Sequence, residues 1–383
     1  MKKWLASYLS FDKPMLLAMV ALLALGVYVI YSGSNFHATE LGRPSYYYAM
    51  NHLKVIALGF VAMGIVTAID HKLWHDIARP VFILCLVGLI LVIIMGAVTK
   101  GAARWLTIAG FSIQPAELMK VAMFAYMARR LSELGDAIVD LKRGMIQPLV
   151  TLGIVAVLIL LQPNFSMTLM IGVSTFVLLF VAGARLKYLG GALALCGILV
   201  LGVGLSASYR LKRLTVFLHP EEHLSGGGYQ LYNALVSLGH GGITGTGIGQ
   251  GTQKLGFLPE SYKDVAFSLL GEELGFLGTS FVLILFGLIV YRGFVIAQNA
   301  KTRFAKYFAT GLTCALGLNV ILHVFVNTGL MPTTGQPLPF ISYGGTNLLV
   351  SMISVGILLN ISRPNTGLNI DEPRSIVQTM KVA

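Results

Sequence analysis

Charge is what this chain has least of. Asp, Glu, Lys and Arg make up 11% of its 383 residues, against about 25% in an ordinary soluble domain. Apolar residues make up 56% and the mean hydropathy is +0.77. A chain this poor in charge cannot cover a soluble surface, so its surplus apolar area faces lipid. Acids are scarcer than bases, and the net charge is +12. In a chain of this hydropathy that excess reads as the positive-inside bias of membrane proteins and not as a nucleic-acid footprint. Cysteine is scarce too. Cys85, Cys196 and Cys314 are odd in number, scattered and set in apolar runs, which excludes a disulfide framework and a cysteine metal site. Also missing are the ~10-residue alternating strands of an outer-membrane barrel and an internal repeat. No small-x-small cleavage site clearly follows the first apolar run. "MKKWLASYLSFDKPMLLAMV" therefore reads as a retained first span and not a cleaved signal peptide.

What the chain does have is apolar runs approaching the ~20 residues that cross a bilayer. Ten candidates fall at about 14–32, 53–69, 80–98, 115–131, 145–161, 167–183, 191–207, 265–291, 304–326 and 341–362. The fold class is an all-α polytopic membrane protein, one domain over residues 1–383. Lys and Arg concentrate on the side of the N-terminus, as in Lys2, Lys3, Lys13, Arg129, Arg130, Lys142 and Arg143. Both termini are accordingly expected in the cytoplasm. One connection is long: residues 208–264, between spans seven and eight, on the outer side. Loops of that length are usually functional. It carries a basic cluster, "YRLKRLTVFLHPEEH", a glycine-rich stretch, "GHGGITGTGIGQG", and then "GFLPESYKDVAFSLLGEELGFLG".

Each polar constellation has a bland and a functional reading. In "QPAELMK", Gln114 to Lys120, Glu117 and Lys120 are three apart and share a helical face. They either satisfy each other near the interface or wall a substrate cavity. In "KGAARWL", a short basic outer loop, Arg104 beside Trp105 is an interfacial anchor or a phosphate contact. Arg210, Lys212 and Arg213 lie outside against the charge trend, suited to lipid head groups or to a pyrophosphate. The glycine-rich stretch lacks the Lys-Ser/Thr ending of a P-loop and reads as an adaptable external loop. Asp264 precedes a long apolar run, as a helix N-cap would. It is also a candidate general base. Glu272 and Glu273 lie about two turns further on, within the span, where at least one must face protein or water. "NTGLMPTTGQPLPFISYGGTN", Asn327 to Asn347, has three prolines and no charge, and should form a stiff capping or re-entrant loop.

Taken in order, "YSGS", "GAARWL", "SIQPAELMK", "GYQLYNALVSLGHGGITGTGIGQGTQKLGFLPE", "GEELGFLG" and "PLPFISYGG" resemble the SEDS family (shape, elongation, division and sporulation) of bacterial peptidoglycan polymerases. The likeness covers nearly the whole chain and leans toward the division branch over the elongation branch. It implies glycosyl transfer from lipid II on the outer face of the cytoplasmic (inner) membrane. The implied partners are a class B penicillin-binding protein and other divisome or elongasome membrane proteins. By resemblance, Asp264 matches the essential loop carboxylate, and Glu117 and Lys120 match the family's pair. Arg213, or less closely Arg210, matches the loop arginine. Arg213, Arg104 and Lys263 become candidate phosphate contacts, with Glu272, Glu273 and Gln114 as supporting polar residues. A divalent cation, Mg or Mn, is implied without ligands. Two other functions stand beside polymerisation: a lipid II flippase, and a scaffold for the transpeptidase. The chain departs from the family pattern at Lys263, at Asn164, which replaces an acid, and at His240, which replaces a serine.

Overall fold

The computed structural model describes residues 11–95, 97–99, 102–108, 111–205, 215–224, 227–256, 258 and 261–363. Each of the ten apolar segments holds a helix. They are α1 (Lys13–Glu40), α2 (Tyr47–Ala68), α3 (His71–Met95), α4 (Pro115–Leu134), α5 (Ile146–Leu160), α6 (Phe165–Val181) and α7 (Leu186–Leu205) before the long connection. After it come α9 (Ala266–Gln298), α10 (Arg303–Asn327) and α11 (Gly345–Ile361). Among the described residues, six helices are long and apolar enough to cross a membrane by length and composition. Polar side chains mark several starts. The amide of Met15 donates to Asp12 Oδ1 at 3.0 Å, that of Ala305 to Thr302 Oγ1 at 3.1 Å, and that of Met167 to Asn164 Oδ1 at 3.3 Å. The first helix runs past the expected end at 32 to Glu40, so "YSGS" lies inside it. Nothing in that stretch breaks a helix, since it has no proline and its glycine is tolerated at modest cost.

α10 is the most enclosed of the long helices, with 72% of its apolar window buried inside the protein. It packs against α9, α4 and α6, while α2 packs on α11 and α1 on α9. Lipid-facing surfaces are apolar by composition, so helix association here rests on close packing. At the α2–α11 contact, Gly59 lies against Met352, and Gly356 against Met63.

Two expectations fail locally. The connection around "KGAARWL" is not a plain loop. It is a three-stranded antiparallel meander, β1 (Ala97–Thr99), β2 (Ala102–Ile108) and β3 (Phe111–Ile113), with Leu106 opposite Ile113 and Thr107 opposite Ser112. The helices therefore carry one small sheet, and the all-α class holds for the membrane-embedded body alone. Two of the strands have only three residues, and the seven of β2, "AARWLTI", do not alternate apolar with polar, so none is legible from sequence. The long connection also holds a helix, α8 (Gly227–Gly241), which packs on α9.

One feature of α9 organises this end of the molecule. At Gly275 the backbone leaves the helix, with φ 66° and ψ −165°, a region essentially open only to glycine. The glycine-rich loop after α8 enters the break. Thr246 N–H donates to Glu272 O at 2.9 Å and Gly247 N–H to Glu273 O at 3.1 Å. In return Phe276 N–H donates to Gly242 O at 2.9 Å and Leu277 N–H to Ile243 O at 3.1 Å. A Cβ on Gly245 would lie 2.2 Å from Glu273 O, so the loop can approach this closely only as glycine.

Candidate functional site

The helix that follows Asp264 begins one residue later than a cap at Asp264 would place it. Its N-cap is Val265, which offers no side-chain acceptor. The capping oxygen comes from another helix. Asn327, fully buried at the end of α10, accepts from Ser268 N–H at 3.2 Å and from Ser268 Oγ–H at 2.9 Å. Its Nδ2 donates to Asp264 O at 3.3 Å and to His323 O at 2.8 Å. The N-cap alternative for Asp264 is thereby replaced, because Asn327 does that work in trans. The Asp264 side chain is half-buried and faces the 328–344 connection, where a Cβ on Gly335 would lie 3.7 Å from Asp264 Oδ2. Lys263 places its Nζ 5.4 Å from the centre of the Tyr262 ring, within cation–π range.

The charge-free segment between α10 and α11 and the first turn of α11 meet several of the residues picked out by sequence. Gln336 Nε2 donates to Asn164 Oδ1 at 3.2 Å. Tyr343 N–H donates to Tyr262 O at 2.8 Å, two residues before Asp264. Thr346 Oγ1 accepts from Gln114 N–H at 3.3 Å, and Asn347 Nδ2 donates to Glu117 Oε1 at 3.2 Å. Glu117 pairs with Lys120 across 2.6 Å, both buried. An isolated charge at membrane depth is costly, so such residues pair or face protein. Arg104, on β2, donates through Nε to Gln162 O at 3.0 Å and through its terminal nitrogen to Pro163 O. It thus ties the sheet to the α5–α6 corner beside Asn164.

Glu272 and Glu273 both face protein. Glu272 is fully buried, and its Oε1 accepts from Thr252 N–H at 2.7 Å, Thr252 Oγ1–H at 3.1 Å and Gln253 N–H at 3.2 Å. Glu273 pairs with Lys254 at 2.6 Å and accepts from Ser32 Oγ–H at 2.7 Å and from the Tyr28 hydroxyl. Ser268 and Glu272, four and eight residues after Asp264, thus serve different partners. The two glutamates hold the glycine-rich loop, and Ser268 holds Asn327. Arg210 and Arg213, with Glu260, lie outside the described residues. Among the described residues no three His, Cys, Asp or Glu side chains converge as metal ligands, so they offer no ligand set for a protein-built cation site.

Sequence reasoning missed Asn327, His323, Gln336 and Lys254. The first two carried a signal, since "HVFVN" sets His and Asn four apart, on one face, inside an apolar span.

An apolar bundle that gathers carboxylates, amides and a buried ion pair around one charge-free connection and the helix start that follows it defines a polytopic membrane protein with a cluster of buried polar contacts. The family model described as "Cell cycle protein", covering FtsW, RodA and SpoVE, matches residues 13–367, and the chain belongs to that family. It is 37% identical over 354 residues to the probable peptidoglycan glycosyltransferase FtsW of Trichlorobacter lovleyi, covering 92% of this chain and 93% of that one. It is 36% identical to the stage V sporulation protein E of Bacillus subtilis, over 92% and 97%. Among solved structures, it superposes on a chain from a peptidoglycan synthase complex described as coordinating polymerization and crosslinking. There the TM-score is 0.77 and the identity 27%, over 93% of this chain and 98% of that chain. The Thermus thermophilus rod shape determining protein RodA shares the fold, with TM-score 0.69 over 93% and 99% at 24% identity.

Proposed function

We propose that this protein is a peptidoglycan glycosyltransferase that polymerises lipid II in cell division or elongation, with Asp264 as general base. The observation that carries the reading is the end-to-end likeness to relatives named FtsW. The half-buried Asp264 carboxylate, set opposite a glycine turn, supplies a residue able to perform the step. The donor sugar is α-linked to pyrophosphate and the product bond is β. One displacement suffices: the acceptor hydroxyl oxygen bonds to the anomeric carbon, the carbon–oxygen bond to pyrophosphate breaks, and the hydroxyl proton passes to Asp264. Pyrophosphate leaves with the bonding pair, and cationic side chains offset its charge. Lys263, Arg210 and Arg213 are the proposed contacts. Arg104, which donates to two carbonyls, holds the corner beside Asn164 in this reading. The divalent cation implied by resemblance takes no step here.

In the same reading the ten apolar helices span the bacterial inner membrane with both termini in the cytoplasm. Asp264 and the glycine-rich loop then lie on the outer side. The partner is a class B penicillin-binding protein, with other divisome or elongasome proteins nearby. The test is purified protein with its transpeptidase partner, lipid II, and a gel readout of glycan strands. Asp264→Asn and Asp264→Ala should lose about 10²–10⁴ in rate. Full polymerisation by Asp264→Ala removes the base assignment. Translocation of lipid II without polymer replaces the enzyme by a flippase, and crosslinking support without either leaves a scaffold.

A further inference from the structure

The geometry points to Asn327 as a positioning residue for the Asp264 carboxylate, acting with His323 one turn earlier on α10. The inference rests on the reading of Asp264 as the base.

The two residues hold opposite walls of one site. Asn327 holds the wall that carries Asp264. Its oxygen caps the first turn of α9 through Ser268, and its amide nitrogen binds Asp264 O. α9 has no capping side chain of its own, so the direction in which residue 264 enters the helix is set by Asn327. His323 holds the facing wall. Its Nδ1 lies 2.8 Å from Gln336 O. A carbonyl oxygen only accepts, so Nδ1 carries the proton. Gln336 directly follows Gly335, the residue opposite Asp264 Oδ2, and its side chain is anchored to Asn164. The walls are also joined to each other, because Asn327 Nδ2 donates to His323 O. All four side chains, Asn327, His323, Gln336 and Asn164, are buried. The spacing between the Asp264 carboxylate and the turn it faces is therefore referred to a single rigid element, α10.

Such a device acts on the reaction through orientation. A displacement of about 1 Å at a reacting group costs about 10²-fold, and the loss falls on kcat when substrate binding uses other groups. Asn327→Leu removes the cap and both donated bonds at similar size. With full-length protein, its partner and lipid II, kcat is expected to fall about 10- to 100-fold with KM within about twofold. Combined with Asp264→Asn, it should add nothing, since a residue acting through Asp264 has nothing left to position. Asn327→Asp keeps the oxygen that caps Ser268 but turns a carboxylate toward two carbonyls. It should retain the thermal midpoint better than Asn327→Leu and still lose about tenfold in kcat. If Asn327→Leu does not fold, Asn327→Asp decides alone. Wild-type kcat in either folded variant overturns the inference, as does a loss that multiplies with that of Asp264→Asn. An active Asp264→Asn would instead overturn the base reading, so the two failures are distinguishable.

Discussion

Replacing Lys120 by Met should damage this protein more than replacing Lys120 and Glu117 together. The two charges are 2.6 Å apart, a gross attraction of about 6 kcal/mol at an effective dielectric near 20. Desolvating two ions costs several kcal/mol each, so the intact pair contributes little net stability. Lys120→Met deletes the attraction and keeps the buried carboxylate, whose named remaining donor is Asn347 Nδ2 at 3.2 Å. That variant should lose about 3–5 kcal/mol. Glu117→Gln/Lys120→Met removes both charges at nearly constant volume and should return to within about 1–2 kcal/mol of wild type. Thermal midpoints of the two single variants and the double variant in one detergent give the coupling. A double variant as damaged as Lys120→Met, or an undamaged Lys120→Met, refutes the argument. The same proteins separate the two readings of the pair. A purely architectural pair regains polymerase activity in the double variant along with its midpoint. A pair that touches substrate regains only the midpoint.

Glu273→Gln and Lys254→Met each break the ion pair that holds the glycine-rich loop, and should speed proteolytic cleavage within 242–256 several-fold; unchanged cleavage would show that the backbone exchange at Gly275 suffices. Arg104→Met deletes charged hydrogen bonds to Gln162 O and Pro163 O, each worth about 1.5–3 kcal/mol, so the thermal midpoint should fall while KM holds. A raised KM at constant midpoint would return Arg104 to the phosphate contacts. Asp140, in the connection between α4 and α5, accepts from the amides of Arg143 and Lys142, which holds its carboxyl below the usual range. With the folded value depressed, its contribution is present above the unfolded value of about 3.9 and lost as pH falls through the folded one. The midpoint difference between wild type and Asp140→Asn should therefore be flat from pH 8 to about 5 and vanish on stronger acidification; a difference that persists in acid would refute the cap.

The helices were legible because lipid demands long apolar runs, and each of the ten segments carries one. The pairing of Glu117 with Lys120 was legible for a local reason: three residues on a helix fix which side chains meet. What sequence could not reach was every contact between distant segments. Asp264 looked like an N-cap because cap residues are judged by their neighbours, whereas the true capping oxygen arrives from Asn327, 59 residues away from Ser268. Glu272 and Glu273 could be read only as supporting acids of which at least one must face protein or water. Their partners, Thr252, Lys254, Ser32 and Tyr28, lie on the loop and on the first helix. The small sheet escaped because two of its strands have only three residues and the third, "AARWLTI", does not alternate apolar with polar.

The glycines of "GHGGITGTGIGQG" and "GEELG" lie far apart in the sequence, and together they form one device. An unbroken α9 would bond Phe276 N–H to Glu272 O and Leu277 N–H to Glu273 O. The kink gives up those two bonds and gains four with the loop, so the two carbonyls and two amides freed by the break find partners in the protein, as burial in an apolar medium requires. Gly275→Ala tests the exchange. Alanine disfavours φ 66°, so the chain is driven to restore helical geometry at 275 and to recapture the two internal bonds. The loop then loses its four backbone partners and keeps only the side-chain contacts of Glu272 and Glu273. Hydrogen exchange should rise by orders of magnitude in peptides covering 242–247, while Phe276 and Leu277 stay protected by the restored helix. Loss of protection at 276–277 with the loop unchanged would mean that the helix, and not the loop, depends on the exchange, and would refute the account.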